Sequence, residues 1–481
     1  MTSSHQHMKI QFKRTLAVCS FVIAISPGVF SQQSGEQNGI SLRDLGSFRP
    51  TGKNWVIASN ATADPSINGD MKAVPGEGAL VNLVAAGGEN MNLLTRDEFG
   101  DAQLELDFMM AKGSNSGVYL QGRYEVQLFD SWTLPRVGFS DCGGIYQRWD
   151  DARGKDNEGY EGSAPLQNAS RAPGLWQHLK IIFRAPRFDD KGVKIGNARF
   201  DEVYLNGSLV QSGIRLTGPT RAAFFKEESA KGPLMLQGDH GNVAFRNIRF
   251  STPVSIAQNM GTDDPILLDA TGKPYLLRSY LMYGDKKLTH VISYGHPNKV
   301  NYSYDLKQGA LFQIWRGDYL NVTEMWHERG EPQLAKPRGS LIVLNDAPAI
   351  AVLPEPGSNW PDSIAFDDFR NQGYTLDVDR TPNFQYSYKG INVSDKISGT
   401  DVQGIKRELT VKDPIGNLYC RVATGKMITP SGKNMYVVGD RDYYIRLDDR
   451  YKPVIRTTAT GKELLVPIDK STATLSYSII F

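Results

Sequence analysis

The sequence predicts an all-β protein, with a β-sandwich or jelly roll followed by a second all-β domain. Short segments with strand-like alternation recur along the chain, and turns containing Gly and Pro separate them. Before residue 250, no stretch repeats apolar residues at the spacing of an amphipathic helix over three turns. Many short strands of this kind are typical of sandwiches and barrels. A length of 481 residues gives room for two or three domains.

Strand patterns begin at residue 54 and continue towards the C-terminus. In residues 102–110 apolar and polar side chains alternate, as expected for an antiparallel strand with one solvated face. Asn206-Gly207 is a hairpin dipeptide. We expect residues 222–230 to form a short helix and the Gly-rich, charged segment 148–174 to form a long functional loop. The predicted strands are 54–58, 79–85, 102–110, 176–183, 202–209, 234–237, 243–250, 275–282, 288–294, 300–305 and 310–315.

The N-terminus has the pattern of a secretory signal peptide. Three basic residues precede an apolar run at 15–30, and the small residue Ser31 follows it. Pro27-Gly28 interrupts the run, which is also too short for a membrane span. We therefore predict a signal peptide at 1–31, with cleavage after Ser31 and export to the periplasm or the medium.

Composition shifts divide the rest of the chain. Residues 251–265 are polar and bracketed by proline, which is typical of a linker. This predicts a first domain at 42–250 and an accessory all-β domain at 266–481. No internal repeat is evident.

Charge and cysteine content exclude several classes of function. The full chain has 54 Lys and Arg against 52 Asp and Glu, and removing residues 1–31 deletes three bases and no acid, which leaves 51 against 52. A mature net charge of −1 gives no general electrostatic case for nucleic-acid binding. The sequence lacks the C-x-x-C-H motif of haem attachment. Cys142 and Cys420 remain after cleavage, and the sequence leaves their pairing open.

The stretch from Asn115 to Ser131 carries an unusual density of polar side chains. Around Arg123 to Leu128 the residues alternate, so that Tyr124, Val126 and Leu128 share one face of a strand, and Arg123, Glu125 and Gln127 share the other. We expect the first face to pack in the core and the second to bind a ligand.

An ordered set of motifs across residues 42–250 resembles the bacterial 3-keto-disaccharide hydrolase family. The motifs are N-S-G-V-Y-L-Q-G-R-Y-E-V-Q-L-F-D-S at 115–131, G-G-I-Y at 143–146, N-A-S-R-A-P-G-L-W-Q at 168–177, I-I-F-R-A-P-R-F at 181–188, L-T-G-P at 216–219 and G-P-L-M-L-Q-G-D-H-G-N-V-A-F-R-N-I at 232–248. The resemblance implies a concanavalin-like jelly roll whose polar concave sheet and loops form the site. It also implies cleavage of glycosides already oxidised to a ketone at C3, and functional coupling to a sugar 3-dehydrogenase.

Such a reaction needs a general base for the C2 proton and donors for the enolate oxygen. Glu125 and His240 are the candidate bases, and the sequence does not choose between them. Arg123, Asn168 and Arg171 are the candidate donors. Further candidate substrate-binding residues are Asn115, Gln127, Tyr146 and Trp149.

Two other functions stay open at this stage. Glu125 and Asp130 have the spacing of a retaining glycosidase pair if a β-bulge brings both carboxylates to one face. Aromatic residues such as Tyr146 and Trp149 equally suit a noncatalytic carbohydrate-binding sandwich. Carboxylates near the long loop leave a divalent metal open, but no D-x-D-x-D-G calcium loop is present and we assign no metal ligand.

Overall fold

Two antiparallel sheets make up most of the first half of the chain in the computed structural model. It describes residues 38–85, 87–253, 264–327, 333–355, 357–400 and 403–481. The predicted signal peptide and residues 254–263 of the predicted linker lie outside the described residues. The described residues belong to one compact unit, Glu36–Phe481, so the division near residue 251 stays a prediction.

The larger sheet of the first half, called the large sheet below, has seven strands in one path and an eighth short strand paired to one of them. All of its pairings are antiparallel. In spatial order the strands are Ser208–Leu216, Ala198–Leu205, Trp176–Arg184, Ala102–Met110, Val243–Ser251, Lys72–Asn82 and Trp55–Thr62, and Asn38–Gly39 pairs with Val243–Ser251.

The smaller sheet, called the site sheet below, carries the polar stretch. Its strands, in spatial order, are Leu93–Phe99, Gly232–Leu236, Asn115–Leu120 and Tyr124–Phe129. Residues 143–146 extend it, because Gln127 donates its N–H to the Gly144 carbonyl and Tyr146 donates to the Glu125 carbonyl. Outside both sheets lie the two-stranded pairs Arg187–Phe188 with Lys194–Gly196 and Arg148–Trp149 with Gly159–Tyr160, and the 3-10 helix Asp151–Arg153.

The core of the first half lies between these two sheets. Leu104, Leu106 and Phe108 of the large sheet pack in one cluster with Tyr124 and Val126 of the site sheet. All five are fully buried. The predicted alternation in both strands is therefore confirmed for their core faces.

The second half is also built from antiparallel sheets, and no described helix has the length and hydropathy that a bilayer crossing needs. Its helices are the α-helix Thr323–Trp326 and the 3-10 helix Phe366–Asp368. The first sheet contains Leu267–Leu268, Ala310–Asn321, Val300–Asp305, Lys286–Gly295, Tyr275–Tyr283 and Lys336–Val343; the second contains Ile350–Val352, Leu418–Gly425, Gly461–Ile468 and Val454–Thr458; the third contains Phe369–Leu376, Pro382–Tyr388, Ile391–Thr400, Gly404–Val411, Thr474–Ile480, Tyr443–Leu447, Met435–Val438 and Ile428–Pro430.

The two halves meet along an apolar and hydrogen-bonded contact, called the seam below. Trp132 and Leu175 pack with Val437 and Ile480 in one buried cluster. The buried Arg441 donates through Nε to the Gly174 carbonyl at 2.5 Å. A fixed contact of this kind ties loops of the first half to strands of the second.

Three predictions of local structure are corrected or refined. Residues 222–230 form turns where a helix was expected, because Ala222 has a left-handed backbone (φ 60°) that interrupts a right-handed helix. Segment 148–174 contains a short hairpin and a 3-10 turn within the predicted loop. Asn206 and Gly207 form the predicted hairpin turn, both with positive φ (51° and 80°), but the strands it joins run longer than predicted, at Ala198–Leu205 and Ser208–Leu216.

Candidate functional site

Glu125 lies on the outer face of the site sheet, opposite the core. Because side chains alternate along its strand, it points away from Tyr124 and Val126. Its partner across the neighbouring strand is Tyr119. The sequence led us to expect a ligand-accessible polar face, yet Glu125 is only 2% exposed. The outer face of this sheet is therefore covered as well.

A loop at residues 217–231, called the covering loop below, contacts the strand that carries Glu125 and the neighbouring Tyr119. Thr220 accepts from the Glu125 N–H at 3.2 Å and donates to the Arg123 carbonyl at 3.0 Å. The Tyr119 hydroxyl lies 3.4 Å from the Arg221 carbonyl oxygen. Phe225 packs on Tyr119 in a small apolar cluster. These contacts hold the loop over the strand that carries Glu125.

Gly117 makes room for the Glu125 side chain. It lies on the strand next to Glu125, two residues before Tyr119. A Cβ atom placed on Gly117 would overlap a carboxylate oxygen of Glu125 and approach the Tyr119 ring at 2.9 Å. The glycine in N-S-G-V therefore lets the carboxyl group lie flat against the sheet.

Burial changes the pKa of both Glu125 and Tyr119. Desolvation raises the pKa of Glu125 from 4.5 to about 8, the charge of Asp239 raises it further, and a hydrogen bond with Tyr119 opposes the shift. Desolvation, together with the Glu125 charge, raises the pKa of Tyr119 well above its ordinary value. Glu125 is consequently protonated in most molecules at neutral pH.

The G-D-H-G turn carries His240 and Asp239, and the charge of Asp239 acts on the Glu125 carboxyl group. His240 Nδ1 is 2.6 Å from Asp239 Oδ1. Gln237 connects the turn to the site sheet, since its backbone N–H donates to the Gly117 carbonyl. The imidazole is more than half exposed. The site therefore contains a buried acid, Glu125, and an accessible histidine, His240.

The turn fits here because its glycines allow close approach. A Cβ on Gly241 would come within 2.7 Å of the Asn115 backbone nitrogen, and one on Gly238 would meet the Met91 carbonyl oxygen at 2.6 Å. Any larger residue would push His240 away from the sheet.

Of the other predicted substrate-binding residues, three lie near Glu125. Gln127 follows it on the same strand face and donates through Nε2 to Asn115 Oδ1 at 2.9 Å. Tyr146, in the segment 143–146 that extends the site sheet, donates its N–H to the Glu125 carbonyl. Trp149 lies further along, 38% exposed, with the Arg221 guanidinium 3.9 Å above its ring centroid. Because Arg221 belongs to the covering loop, Trp149 contacts that loop.

The three predicted donors make their side-chain hydrogen bonds to backbone carbonyls outside this group, although Arg171 Nε has no partner among the described residues. Arg123 donates to the backbone carbonyls of Glu227 (2.5 Å) and Gln121 (2.8 Å), and so anchors the covering loop. Asn168 and Arg171 lie at or near the seam and are described next.

Asn168 and Arg171 both bind backbone carbonyls of loops and of the second half. Asn168 Nδ2 donates to Ser131 (2.7 Å) and Leu134 (3.0 Å). Arg171 donates to Trp176 and, across the seam, to Leu341 (3.4 Å). Asn168 also lines a cleft of about 340 Å³ between the halves, whose walls include residues 134–137 and 316–318. The N-A-S-R motif thus contributes to assembly of the seam.

Asp130 and Glu125 have different hydrogen-bond partners. Its Oδ2 accepts from the Gly113 N–H at 2.8 Å, and burial raises its pKa. The pairing of Asn115–Leu120 with Tyr124–Phe129 has no register shift. The bulge that the retaining-glycosidase hypothesis needs in this strand pair is therefore missing from this pairing.

Sequence reasoning underestimated several neighbours of Glu125. The sequence patterns assign no role to Tyr119, Asp239, Gln237 or Gly117. The two-residue alternation of Asn115–Leu120 could have placed Gly117 and Tyr119 on the Glu125 face. In the described part of the chain, no group of three or more His, Cys, Asp or Glu side chains is arranged to hold a metal ion. Cys142 and Cys420 are both buried and free.

Comparison with known proteins agrees with the motifs. No curated protein matches the sequence. A candidate glycosyl hydrolase from Parabacteroides distasonis ATCC 8503 is 24% identical over 45% of this chain and 84% of its own, with a TM-score of 0.29. The carbohydrate-binding module CBM66 from Bacillus subtilis is 12% identical over 42% of this chain and 99% of its own, with a TM-score of 0.20. The family model for the 3-keto-alpha-glucoside-1,2-lyase-like domain matches residues 43–251. The resemblance drawn from the motifs is thereby confirmed, and the chain carries a domain of this family in its N-terminal half.

Proposed function

We propose that the first half of the chain cleaves 3-keto-glycosides or 3-keto-disaccharides by C2 proton abstraction and elimination, followed by hydration. The family match supports a carbohydrate substrate of this class. The observation that carries the mechanism is the buried carboxyl group of Glu125, whose pKa of about 8 is raised in part by Asp239, the hydrogen-bond partner of the accessible His240. Two titratable groups in such different surroundings suit opposite roles in proton transfer.

His240 is the proposed base. Asp239 accepts from the protonated Nδ1, which leaves Nε2 with a free electron pair facing outward. The C3 ketone makes the C2 proton acidic, so Nε2 takes it and the C2–H electron pair moves into an enolate. The enolate then expels the C1 oxygen substituent and forms a C1=C2 double bond. The exposed imidazole can receive another substrate molecule once it has passed this proton to solvent.

Glu125 is the proposed acid for the leaving oxygen. Its raised pKa keeps it protonated near neutral pH, so it can supply the proton that the departing C1 oxygen needs. Water then adds to the double bond, with OH at C1 and H at C2, and the net reaction consumes one water molecule. In this scheme the two candidate bases have different roles, with His240 as the base and Glu125 as the acid.

Amide side chains supply the proposed sugar contacts. Gln127 and Asn115 present polar groups on the same face as Glu125. The buried Oε1 of Gln237 has no hydrogen-bond partner among the described residues, so it is available to accept from a sugar hydroxyl. Tyr146 and Trp149 offer ring faces at the edge of the group.

The deciding experiment incubates the protein with matched glycosides and their 3-keto forms and follows release of the aglycone or second sugar. We expect cleavage of the 3-keto forms alone, with deuterium from D₂O incorporated at C2 of the product. Cleavage of unoxidised glycosides at a similar rate would contradict elimination. Binding of sugars without any turnover would identify a noncatalytic carbohydrate-binding sandwich.

Variants assign the roles. His240→Asn should lower kcat by about 10²- to 10⁴-fold, the usual contribution of a general base, and abolish C2 exchange. Glu125→Gln should slow cleavage but leave C2 exchange measurable, because it removes only the acid. Glu89→Gln, at an exposed position, is the matched control. Loss of C2 exchange in Glu125→Gln together with its retention in His240→Asn would reverse the assignment.

Two further proposals concern the setting. We propose that the protein is exported and that its substrate comes from a sugar 3-dehydrogenase. N-terminal sequencing of protein from the cell exterior should begin after Ser31. Adding a sugar 3-dehydrogenase and an electron acceptor to unoxidised glycoside should restore cleavage, and a failure to do so with active 3-keto cleavage would argue against the coupling.

A further inference from the structure

Three arginines stand side by side at one edge of the large sheet. Arg184 is opposite Arg199, and Arg199 is opposite Arg215, on three neighbouring antiparallel strands. Directly opposite residues of such strands project to the same face. Because Ala198 and Phe200 on either side of Arg199 are buried in the core, this face is the outer one.

This arginine row lines a cleft of about 550 Å³. The short hairpin beside it adds Arg187 and Lys194 to the walls. No acidic residue is among the residues that line the cleft, which otherwise present Ala185, Ile195, Gly196 and Asn197. The cleft therefore offers five cationic side chains and small or apolar neighbours.

Carboxylates behind the cleft balance only part of this charge. Asp201 pairs with Arg184 (2.8 Å) and Arg199 (2.5 Å). Asp101 pairs with Arg187 (2.7 Å), and Lys194 pairs with Glu228 at 2.6 Å. Three carboxylates against five cations leave two positive charges.

Arg215 carries one of these unbalanced charges. It is exposed, and the described residues give it no ion pair. Arg199 uses its Nε for Asp201 and is 44% exposed. Like charges placed directly opposite on adjacent strands disfavour folding, and an anion between them would relieve the repulsion.

We propose that this cleft binds the oxyanion groups of an acidic glycan, either uronic carboxylates or sulfate esters. Arginine forks match both groups, since the planar guanidinium can donate two parallel hydrogen bonds to two oxygens. A glycan is the partner because residues 43–251 belong to a family of sugar-cleaving domains. The cleft lies on the outer face of the large sheet, so it acts separately from Glu125. Its role does not depend on the cleavage chemistry proposed above.

Binding measurements with defined polymers test the proposal. Oligogalacturonate and dextran sulfate fragments are titrated into the full protein at low salt, with neutral dextran as the uncharged control. We expect at least one acidic glycan to bind, with an affinity that falls as salt is raised. The arm that binds identifies carboxylate or sulfate as the ligand group. Failure of both acidic glycans to bind at low salt would overturn the proposal.

Variants locate the site. Arg215→Gln removes a side chain without an ion-pair partner among the described residues, so the fold should persist, and we expect about a tenfold loss of affinity for one charged hydrogen bond. Arg199→Gln with Arg215→Gln should lose more. Arg370→Gln, another exposed arginine on a strand, is the control and should bind as the wild type. Unchanged binding in the double variant, or equal binding of a DNA oligomer of the same charge, would overturn the glycan site.

Discussion

The outer face of the site sheet and the seam between the halves use similar polar side chains in different ways. Around Glu125, groups such as Gln237 Oε1 keep unused hydrogen-bonding capacity, and a carboxyl group is held in its neutral form. At the seam, Arg171 donates to the backbone carbonyl of Leu341 in the other half, and Asn168 donates to the backbone carbonyl of Ser131. The residue types alone do not distinguish the two situations.

The difference lies in the hydrogen-bond partners of each side chain. Loops of the first half carry backbone carbonyls, such as those of Ser131 and Gly174, and side-chain donors at the seam reach them. A strand satisfies its own backbone, so the side chains of Glu125 and Gln127 bond to other side chains, those of Tyr119 and Asn115, on the sheet face. The comparison predicts that substitutions on the site sheet change chemistry, whereas those at the seam change stability.

The largest expected effect is on turnover in Glu125→Gln. Removing a proton donor in the transition state should lower kcat for 3-keto-glycosides by about 10³-fold. The melting temperature should not fall, because glutamine has the same size and the wild-type carboxyl is neutral in most molecules near pH 7. Steady-state kinetics and thermal melts check this. Equal loss of stability and activity would remove the contrast with the seam.

Gly117→Ala should have the second-largest effect on kcat. The new methyl group would displace the Glu125 carboxyl group from its place on the sheet, and a shift of that size can cost about 10²-fold in kcat. Gly272→Ala, at an exposed position where an added Cβ meets nothing within 4 Å, is the control for the loss of a glycine. Full activity of Gly117→Ala, with the substitution verified and the fold intact, would show that the carboxyl position is unimportant.

Stability against pH gives a separate test of Glu125. Its pKa is raised from 4.5 in the unfolded chain to about 8 in the folded one, so the folded state keeps a proton that the unfolded state loses. The free energy of unfolding should therefore fall as pH rises from about 4.5 to about 8 and level off above that. The difference between wild type and Glu125→Gln, measured by denaturant titration, should show this slope. A flat difference would mean that the carboxyl is not buried as described.

Arg171→Met should act on stability. It leaves the Trp176 and Leu341 carbonyls without their donor and should lower the free energy of unfolding by about 2 kcal/mol. Turnover per folded molecule should stay within a few-fold of the wild type. Arg370→Met, at an exposed site, is the control. Loss of turnover without loss of stability would return Arg171 to the substrate-binding group.

Asn168→Ala should have the smallest effect. Its amide donates to two loop carbonyls that are partly exposed, so we expect a loss of about 1 kcal/mol in the free energy of unfolding. The KM for a 3-keto-glycoside should be unchanged. A raised KM with unchanged stability would place the sugar in the cleft between the halves.

Much of the fold could be predicted because strand alternation depends on local pattern. The strands at Ala102–Met110 and Val300–Asp305 have the predicted limits, and Asn206-Gly207 forms the predicted turn. The helix expected at 222–230 is absent because this segment is shaped by tertiary contacts. Phe224 donates its N–H to the Gly122 carbonyl, and Glu227 accepts from Arg123. A chain held by such contacts needs no helical periodicity.

The candidate site was predictable only in part, for a related reason. Alternation places Glu125 and Gln127 on the non-core face, and the G-D-H-G turn places His240 after a core strand. Whether that face is open or covered depends on a loop about a hundred residues later in the chain, which carries Thr220 and Arg221. The use of Arg171 depends on Leu341, in the other half. Such partners are distant in sequence and leave no local pattern.

Movement of the covering loop is linked to the protonation of Glu125. Desolvation is the main cause of the raised pKa of Glu125, so any movement that lifts residues 217–231 and admits water lowers that pKa towards 4.5. Between these two values the opening releases a proton, and by linkage alkaline solution favours the open loop and acid the closed one. We therefore expect opening of the loop to be coupled to the titration of Glu125, with more frequent solvent access to the sheet face at higher pH.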